Sequence, residues 1–411
     1  MYIIACIYLQ DTPIVEKMMK GIYGDEQAMN LLNMTTNITF IGYRGINFIT
    51  LTGGSQYEKG FAYGKNMRAD LLGARDHLVE KFSNHNVSYN EMSDMAQKFF
   101  DRYSNNYKPF LRGISDGAEI STDDVNILNG METLLGLLYS STSEDTLVHC
   151  SYFTIPTTES ATGSLTLGRN YDFSPEIYGE IAKNLTVTII NDLIPTAIIG
   201  MPGQIYCPTC INQKGLFIEL NNGMPSGGSY ANQTRQSMLI NMLEVMQNSE
   251  SLEELNSRMM PLESDYSLII NAANETHLLS YEYSSSSSLG MKPYSPTPGY
   301  HFVSTNFYLN NSWNTPAPTD ESTWHGVTRR NNLIDLLNSE DCFDLESIKS
   351  MMGKTIKDGG AAWDHTLYQI IFQPTTNDLY LKISGEEWVD IEMGELYDST
   401  SHIVNLTGDY C

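Results

Sequence analysis

The order of the predicted elements places this chain in the α+β class, in which helices and sheets are segregated along the sequence. Apolar residues recur at helical spacing from about residue 54 to 139, and a polar connector follows at 140–144. Most of the chain after that connector consists of short β-rich runs between turn residues. We find no internal repeat and no proline-rich linker, so one layered unit is expected.

The helical part follows a predicted hairpin at 37–51, whose two short strands flank a Tyr-Arg-Gly turn. Ser88 is a suitable N-cap for the second helix, and Ser121 begins a capping sequence for the fourth. The predicted helices cover residues 60–82, 89–103, 107–119 and 125–139.

Beyond the connector, the strands are predicted from apolar runs rich in β-branched and aromatic residues. The first two, at 151–156 and 164–170, flank a turn at 157–163. Helical spacing returns at 233–247, 251–260 and 328–337. The remaining predicted strands are at 185–190, 196–200, 216–220 and 267–271, and a final hairpin joins 366–372 to 379–383.

The charge balance is strongly acidic, since 49 Asp and Glu residues against 24 Lys and Arg give a net charge of −25 over 411 residues. A field of this sign repels nucleic acids, anionic membranes and polyanionic cofactors. We therefore expect no nucleic-acid partner, and coenzyme A is disfavoured. No run approaches the roughly 20 apolar residues that a membrane-spanning helix needs.

Two features favour a secreted, lysosomal or periplasmic location over the cytoplasm. Residues 1–9 are apolar but lack a charged leader and a clear cleavage site, so they fit either a shortened signal peptide or a first strand. The sequence also contains eight Asn-x-Ser/Thr sequons, which permit glycosylation without requiring it. They begin at Asn33, Asn37, Asn86, Asn184, Asn232, Asn274, Asn310 and Asn405.

The six cysteines and the known motifs indicate no metal and no cofactor. Cys207 and Cys210 form a lone Cys-x-x-Cys, which lacks the second ligand pair of a zinc site and fits a local disulfide or two ordinary thiols. Cys342 and Cys411 are candidates for a second pair. Phosphate-binding, dinucleotide-binding, zinc-protease and serine-hydrolase motifs are missing from the sequence.

The run 150–173 is the candidate for chemistry. We read it as an antiparallel hairpin in which paired residue numbers sum to about 320. This register sets Cys150 opposite Asn170 and leaves Asp172 just past the strand end. Cys150, Arg169 and Asp172 are then expected to converge at one end of the hairpin.

Their chemistry suits a nucleophilic site. A guanidinium such as Arg169 favours the thiolate form of Cys150, which is the reactive form. An N-terminal α-amine, with a pKa of about 7.7–8.0, is a suitable general base, and Asp172 can hold it in position. From spacing alone, however, a structural ion pair between Arg169 and Asp172 beside a buried, inert Cys150 is the favoured interpretation.

Several motifs, taken in their order along the chain, favour the nucleophilic interpretation of Cys150 instead. Gly-Arg-Asn-Tyr-Asp-Phe at 168–173, after a hairpin that begins with cysteine, resembles the signature of cysteine N-terminal-nucleophile hydrolases. These comprise the choloylglycine hydrolases and penicillin V acylases, the acid ceramidase and N-acylethanolamine amidase group, and the penicillin acyltransferase-like peptidases. The stretches 54–64, 111–119 and 128–132 are similar to parts of the prosegment of the last group.

The resemblance continues after the hairpin. A Leu-Asn-Asn sequence resembles the loop in which an Asn helps to form the oxyanion hole, which implies that role for Asn221. A Thr-Asn pair implies the same role for Asn306, and Arg329 or Arg330 matches a late arginine of these families. Locally, a turn explains Asn221 equally well, and both arginines fit the first turn of an ordinary helix.

The resemblance covers about residues 54–385 and implies a four-layer αββα sandwich with an N-terminal helical prosegment. Residues 1–53 are a segment of uncertain role, 54–149 the prosegment and 150–411 the catalytic domain. Cleavage is expected between His149 and Cys150, with the prosegment remaining bound as a separate chain.

The implied activity is hydrolysis of a linear amide bond in a small N-acyl substrate with a hydrophobic acyl group. Cys150 would be the nucleophile, and no metal or cofactor would be needed. Two alternatives remain open: an acyltransferase that passes the acyl group from an amide or acyl-CoA to an amine, and a non-catalytic protein that retains the fold.

Overall fold

The computed structural model describes residues 36–139, 149–228, 234–286 and 289–398. The apolar first segment, the connector at 140–144 and the pairing of Cys411 lie outside the described residues. Within these ranges two sheets and their surrounding helices confirm the α+β class.

Two sheets form the centre of the fold. The larger contains β1 (Asn37–Tyr43), β2 (Ile46–Thr52), β5 (Leu185–Asn191), β6 (Thr196–Gly200), β7 (Thr209–Asn212), β8 (Phe217–Asn222), β9 (Leu268–Ala273), β10 (Leu278–Tyr283) and β11 (Met291–Tyr294), adjacent in that order. The smaller contains, in spatial order, β12 (Phe302–Ser304), β3 (Ser151–Ile155), β4 (Thr166–Asp172), β13 (Thr366–Gln373), β14 (Asp378–Ile383) and β15 (Val389–Glu392). Among these strands only β2 and β5 pair in parallel.

Helices cover most of the chain before residue 139 and connect many of the later strands. None of them, within the described ranges, is long and apolar enough to cross a bilayer. They are α1 (Gln56–Asn66), α2 (Arg68–Asn84), α3 (Tyr89–Phe100), α4 (Lys108–Ala118), α5 (Thr122–Tyr139), α6 (Pro175–Ala182), α7 (Met224–Gly227), α8 (Met238–Gln247), α9 (Leu252–Met259), α10 (Asp320–Thr323), α11 (Gly326–Leu337), α12 (Leu345–Gly353) and α13 (Met393–Tyr397), with 3₁₀ segments at Asn311–Trp313 and Ile356–Asp358.

Local signals located several elements correctly. The predicted first hairpin is β1 and β2, and both of its turn residues, Arg44 and Gly45, have positive φ, as a tight hairpin turn requires. Ser88 caps α3 in a capping box with Glu91. This first hairpin joins the larger sheet through the pairing of β2 with β5.

Other boundaries were wrong. The helix expected over 60–82 is two helices, α1 and α2, which are separated at Met67. Helix α1 packs against α4, and α2 packs against α6. The predicted strand at 164–170 is β4, which runs two residues further because it pairs with β13 as far as Asp172. The sequence analysis also missed the helices α6, α7, α10, α12 and α13 and the strands β7, β10, β11, β12 and β15.

The two faces of the smaller sheet have different partners. Tyr152 on β3 stacks against Phe217 of the larger sheet, with ring centres 6.1 Å apart. The next residue, Phe153, belongs to a separate buried cluster with Leu333 of α11 and Met351 of α12. This alternation places strand β3 between the larger sheet and a pair of helices. The complete four-layer stacking stays a prediction.

Helices α1 and α4 approach each other through glycines. A Cβ atom added to Gly60 would lie 1.9 Å from the Phe110 carbonyl oxygen, and one added to Gly113 would lie 2.1 Å from the Tyr57 oxygen. Only glycine allows this close contact between two backbones. Helix packing therefore explains Gly60 and Gly113, which lie in two of the stretches that resemble a prosegment.

We predict that Gly113→Ala destabilises the fold by about 1–3 kcal/mol, because its methyl group would overlap a backbone carbonyl that cannot move freely. Gly73→Ala in α2 is the matched control, since an added Cβ there meets nothing within 4 Å. Helix propensity should make that control neutral or slightly stabilising. Denaturant unfolding of both variants measures the difference, and equal midpoints would contradict the packing argument.

Candidate active site

The β3–β4 hairpin brings Cys150 and Arg169 to the same face of the smaller sheet. Ser151 pairs with Asn170 and Tyr152 with Arg169, so paired numbers sum to one more than predicted. A shift of one residue turns side chains to the other face. The predicted register would have put Cys150 and Arg169 on opposite faces, whereas the observed one puts both towards the larger sheet.

The thiol of Cys150 is fully buried and lies beside a guanidinium. Arg169 Nη2 donates to Cys150 Sγ at 3.4 Å. Burial raises the pKa of Cys150 to about 12, and this effect outweighs the lowering by Arg169. Arg169 thus acts in the expected direction, but burial dominates, so the thiol of the uncut chain is protonated at neutral pH.

Arg169 is held by acceptors from the larger sheet. Its Nη1 donates to the Pro208 carbonyl at 2.6 Å, its Nη2 to the Leu220 carbonyl at 2.7 Å, and its Nε lies 3.3 Å from Glu219 Oε2. Burial acts to lower the pKa of Arg169, but the Glu219 charge raises it overall. The arginine that contacts the thiol therefore stays charged.

A local disulfide borders this arginine. Cys207 and Cys210 are bonded, which confirms one of the two predicted alternatives for this pair. The residues between them supply Arg169 with the Pro208 carbonyl and the Thr209 hydroxyl as acceptors. The disulfide thus closes the loop that fixes the guanidinium next to the thiol.

Arg329 on α11 contacts the predicted cleavage site directly. Its Nη1 donates to the His149 carbonyl oxygen at 2.6 Å and to the Cys150 carbonyl oxygen at 3.2 Å. The same nitrogen lies 3.1 Å from Asp172 Oδ2, and Nη2 donates to Asn306 Oδ1 at 2.7 Å. A single buried guanidinium therefore links the peptide bond before Cys150 to two of the predicted site residues.

Asp172 pairs with Arg329, so the alternative interpretation from spacing, a structural ion pair between Asp172 and Arg169, was wrong. Residues 169 and 172 point to opposite faces of β4 because they are an odd number of positions apart. Thr366 Oγ1 donates to Asp172 Oδ1 at 2.6 Å, and the His149 amide donates to the Asp172 carbonyl at 2.9 Å. Burial raises the pKa of Asp172 to about 6 despite the lowering by Arg329.

The two predicted oxyanion residues are buried close to these arginines. In the amide orientation that satisfies its neighbours, Asn221 accepts from the Ser304 hydroxyl and donates to Glu219, both at 3.2 Å. Asn306 accepts from Arg329 and donates to the Asn222 carbonyl at 3.0 Å. In the uncut chain, both amide groups therefore bind protein atoms.

Arg330 lies apart from this cluster. It is half-buried, and its Nε donates to the Val303 carbonyl at 3.2 Å. Of the two arginines that the sequence left open, Arg329 is the one that contacts Cys150 and Asp172.

Sequence reasoning did not assign a role to Glu219, although a signal for it existed. Glu219 lies two positions before Asn221 on β8, so both side chains occupy the same face. A buried arginine also needs a counter-charge, which Glu219 supplies. Burial raises the pKa of Glu219 to about 7.

The described part of the chain contains no group of three or more His, Cys, Asp or Glu side chains suited to hold a metal ion. The assembled groups are a thiol, two guanidinium groups, three carboxyl groups counting Glu132, and two amides. Glu132 of α5 accepts a hydrogen bond from the hydroxyl of Tyr171 on β4. Such a set can activate a nucleophile and stabilise charge on an oxygen.

No protein-family model matches the sequence, and a search of curated proteins finds no match. Among solved structures, the chain is similar to an N-acylethanolamine-hydrolyzing acid amidase ortholog from Caenorhabditis elegans, with 13% identity, a TM-score of 0.41, and 55% of this chain and 93% of that one covered. It is also similar to a mutant conjugated bile acid hydrolase from Clostridium perfringens, with 13% identity, a TM-score of 0.43 and coverage of 64% and 97%.

A third similar structure is the penicillin V acylase from Agrobacterium tumefaciens, with 11% identity, a TM-score of 0.35, and 61% of this chain and 89% of that one covered. Two of these proteins, the acid amidase and the penicillin V acylase, carry names of groups that the sequence motifs resemble. Because every one of these TM-scores is below 0.5, the proposals for this chain rest on its own residues.

Buried carboxyl groups predict that the fold is more stable in mild acid. Burial raises the pKa of Glu132 and of Glu219 to about 7 and that of Asp172 to about 6. Between about pH 4 and pH 7 the native chain therefore binds more protons than the unfolded chain, and the free energy of unfolding falls as pH rises. We expect denaturant unfolding to show greater stability at pH 5 than at pH 8.

Glu132→Gln should reduce this pH dependence by up to about 3 kcal/mol, since one pKa unit corresponds to about 1.4 kcal/mol. Glutamine keeps an acceptor for the Tyr171 hydroxyl but does not titrate. Glu176→Gln, which removes an exposed carboxylate, is the control. Equal pH dependence in the parent and in Glu132→Gln would show that Glu132 is not the responsible group.

Proposed function

We propose that this protein is a cysteine amidohydrolase that activates itself by cutting the bond between His149 and Cys150 and then cleaves a linear amide of a small N-acyl substrate. The observation that supports this most directly is the contact of Arg329 with the His149 carbonyl, beside a thiol that contacts Arg169. A buried guanidinium on a peptide carbonyl next to a buried thiol is the arrangement that an acyl shift needs.

Self-cleavage would begin with attack of Cys150 Sγ on the carbonyl carbon of His149. Negative charge then develops on the His149 oxygen, where Arg329 already donates. The C–N bond breaks, the thiol proton passes to the departing Cys150 nitrogen, and a thioester forms. Water hydrolyses the thioester, which leaves a carboxylate on His149 and restores the thiol on an N-terminal Cys150.

In the cut protein, the new α-amine would act as the base. Asp172 and the His149 carbonyl both contact the guanidinium of Arg329, so Asp172 is placed to orient this amine. The thiolate attacks the substrate carbonyl, and the amine part of the substrate leaves with the proton held by the α-amine. Water then hydrolyses the acyl-enzyme. Asn221 and Asn306 would donate to the oxyanion, a role for which the loss of one donor costs about 10²–10³ in rate.

The helical chain would remain attached after the cut. The Glu132 carboxyl is buried against the Tyr171 hydroxyl and lies 3.5 Å from Gln204 Nε2, so α5 forms part of the same core as β4. Separation would leave these polar groups unpaired in an apolar surface. We expect the two chains to migrate as one particle under native conditions.

An oxidising compartment suits this protein because the Cys207–Cys210 disulfide supports the position of Arg169. Of the sequons, Asn86 and Asn184 are exposed, whereas Asn310 already uses its side chain on Pro293 and Ser312. Glycosylation in a secreted or lysosomal protein would therefore be expected at the exposed pair rather than at Asn310.

The cut can be tested by intact mass and N-terminal sequencing after incubation at several pH values. The parent should give two chains, one beginning at Cys150, and Cys150→Ala should stay a single chain of 46.1 kDa. Cys342→Ser, which changes an exposed free thiol in the described part of the chain, should be cut like the parent. A parent that stays uncut under every condition would favour a non-catalytic protein that retains the fold.

Arg329→Gln should slow the cut by at least about 10²-fold, because the amide cannot replace the positive charge on the His149 carbonyl. Arg330→Gln is its neighbour control and should be cut at the parent rate. Circular dichroism would establish that both variants fold. Equal rates for the two variants would contradict the role of Arg329.

We favour hydrolysis over acyl transfer because the net charge of −25 opposes the phosphates of an acyl-CoA donor. The two activities share every step up to the acyl-enzyme. Release of free acid from an N-acyl amide, measured with and without an added amine or acyl-CoA, separates them. Acyl-CoA-dependent transfer that outpaces acid release would identify an acyltransferase.

A further inference from the structure

The side chain of His149 fills a box of aromatic rings. Its ring centre lies 4.3 Å from that of Trp324, 5.5 Å from that of Trp363 and 5.9 Å from that of His365. Trp363 and His365 stack on each other at 4.2 Å. We call Trp324, Trp363 and His365 the aromatic box.

The aromatic box reaches the protein surface, and the His149 ring lies buried within it. All three box residues are partly exposed, whereas His149 is completely buried among them. The carbonyl of His149 is bonded to the nitrogen of Cys150, so the inner end of the box borders the nucleophile. A group that replaced the His149 ring would therefore lie between the partly exposed box residues and Cys150.

The walls of the box are built from the segments that also carry the site. Trp324 precedes α11, which holds Arg329, and His365 precedes Thr366, which donates to Asp172. The Arg329 guanidinium lies 5.8 Å from the centre of the Trp363 ring. Any group bound in the box is therefore held in a fixed relation to the residues around the thiol.

The backbone beside the box is strained. Trp324 and His325 both have positive φ, 51° and 59°, in a region that residues with side chains rarely adopt. Strain of this kind persists only where surrounding contacts impose it, and it concentrates at binding and catalytic sites. The strained pair turns the Trp324 ring onto His149.

We propose that the aromatic box becomes the acyl-binding site of the cut protein and selects acyl groups that end in a flat aromatic ring. This inference rests on the proposed self-cleavage. In the uncut chain, His149 supplies the acyl group of the bond to be cut. Two carbon atoms, Cα and Cβ, separate its ring from the carbonyl carbon. A 3-arylpropanoyl amide reproduces that spacing, and its ring would stack where the imidazole now lies.

The cut also provides a reason for the His149 ring to leave. Hydrolysis creates a carboxylate at the His149 carbonyl, which shares Arg329 Nη1 with Asp172. Two carboxylates in one buried site disfavour each other's charged form. Once the peptide bond is broken, only non-covalent contacts retain the ring, so a substrate ring can replace it.

The first test compares two amides of one fluorogenic amine on the cut protein, 3-phenylpropanoyl and straight-chain nonanoyl, which have the same number of carbon atoms. We expect kcat/KM to be about tenfold or more higher for the aromatic substrate, since two ring contacts add selectivity beyond buried area. Trp324→Leu and Trp363→Leu should remove this preference. Trp388→Leu, away from the box, should retain it.

The second test needs no box variant. Calorimetry should detect binding of 3-phenylpropanoate, the acid product, to the cut parent, and none to uncut Cys150→Ala, in which His149 fills the box. Equal binding to both forms, or a preference for the nonanoyl amide that both tryptophan variants leave unchanged, would overturn the inference while amide cleavage itself stood. A parent that is neither cut nor active on any amide would instead overturn the proposed function and this inference with it.

Discussion

The buried ion pair between Arg329 and Asp172 is the contact on which the rest of the site depends. It joins helix α11 to strand β4. The same guanidinium also binds the carbonyls of His149 and Cys150 and the side chain of Asn306. Removing one partner of such a pair typically costs about 3–5 kcal/mol because the other charge stays buried. The pair therefore fixes where the peptide bond lies relative to the thiol.

A second buried cation occupies the other face of the same strand. Arg169 is bound to the larger sheet through Glu219 and two carbonyls, and it contacts Cys150 from that side. The two arginines thus contact different atoms: Arg169 contacts the sulfur of Cys150, and Arg329 contacts the carbonyl oxygen of His149. Protonation of the thiol in the uncut chain follows from burial, which outweighs the single favourable contact with Arg169.

Much of the local structure and part of the site could be predicted from the sequence. The turn at Arg44 and Gly45 and the cap at Ser88 depend on neighbouring residues alone, so local signals were sufficient. The hairpin brings Cys150 and Arg169 together as expected. The predicted register was wrong by one residue, because loop geometry sets the register and composition does not.

What could not be predicted lies in contacts between distant segments. His149 meets Trp324 and Trp363, which are more than 170 residues away in sequence, and nothing in the local pattern around either tryptophan indicates that contact. The choice between Arg329 and Arg330 was equally open. Adjacent residues of a helix point in different directions, and the sequence does not reveal which of the two directions faces the site.

The contact of Glu132 with Tyr171 has a consequence for the protein as an assembly. If the chain is cut after His149, the resulting two-chain particle inherits an interface that was folded as one core and includes a buried carboxyl group. Such an interface resembles that of an obligate complex rather than one formed by the encounter of free partners. Its two chains would come from the same molecule and would not exchange with those of another, so every particle would be a matched pair.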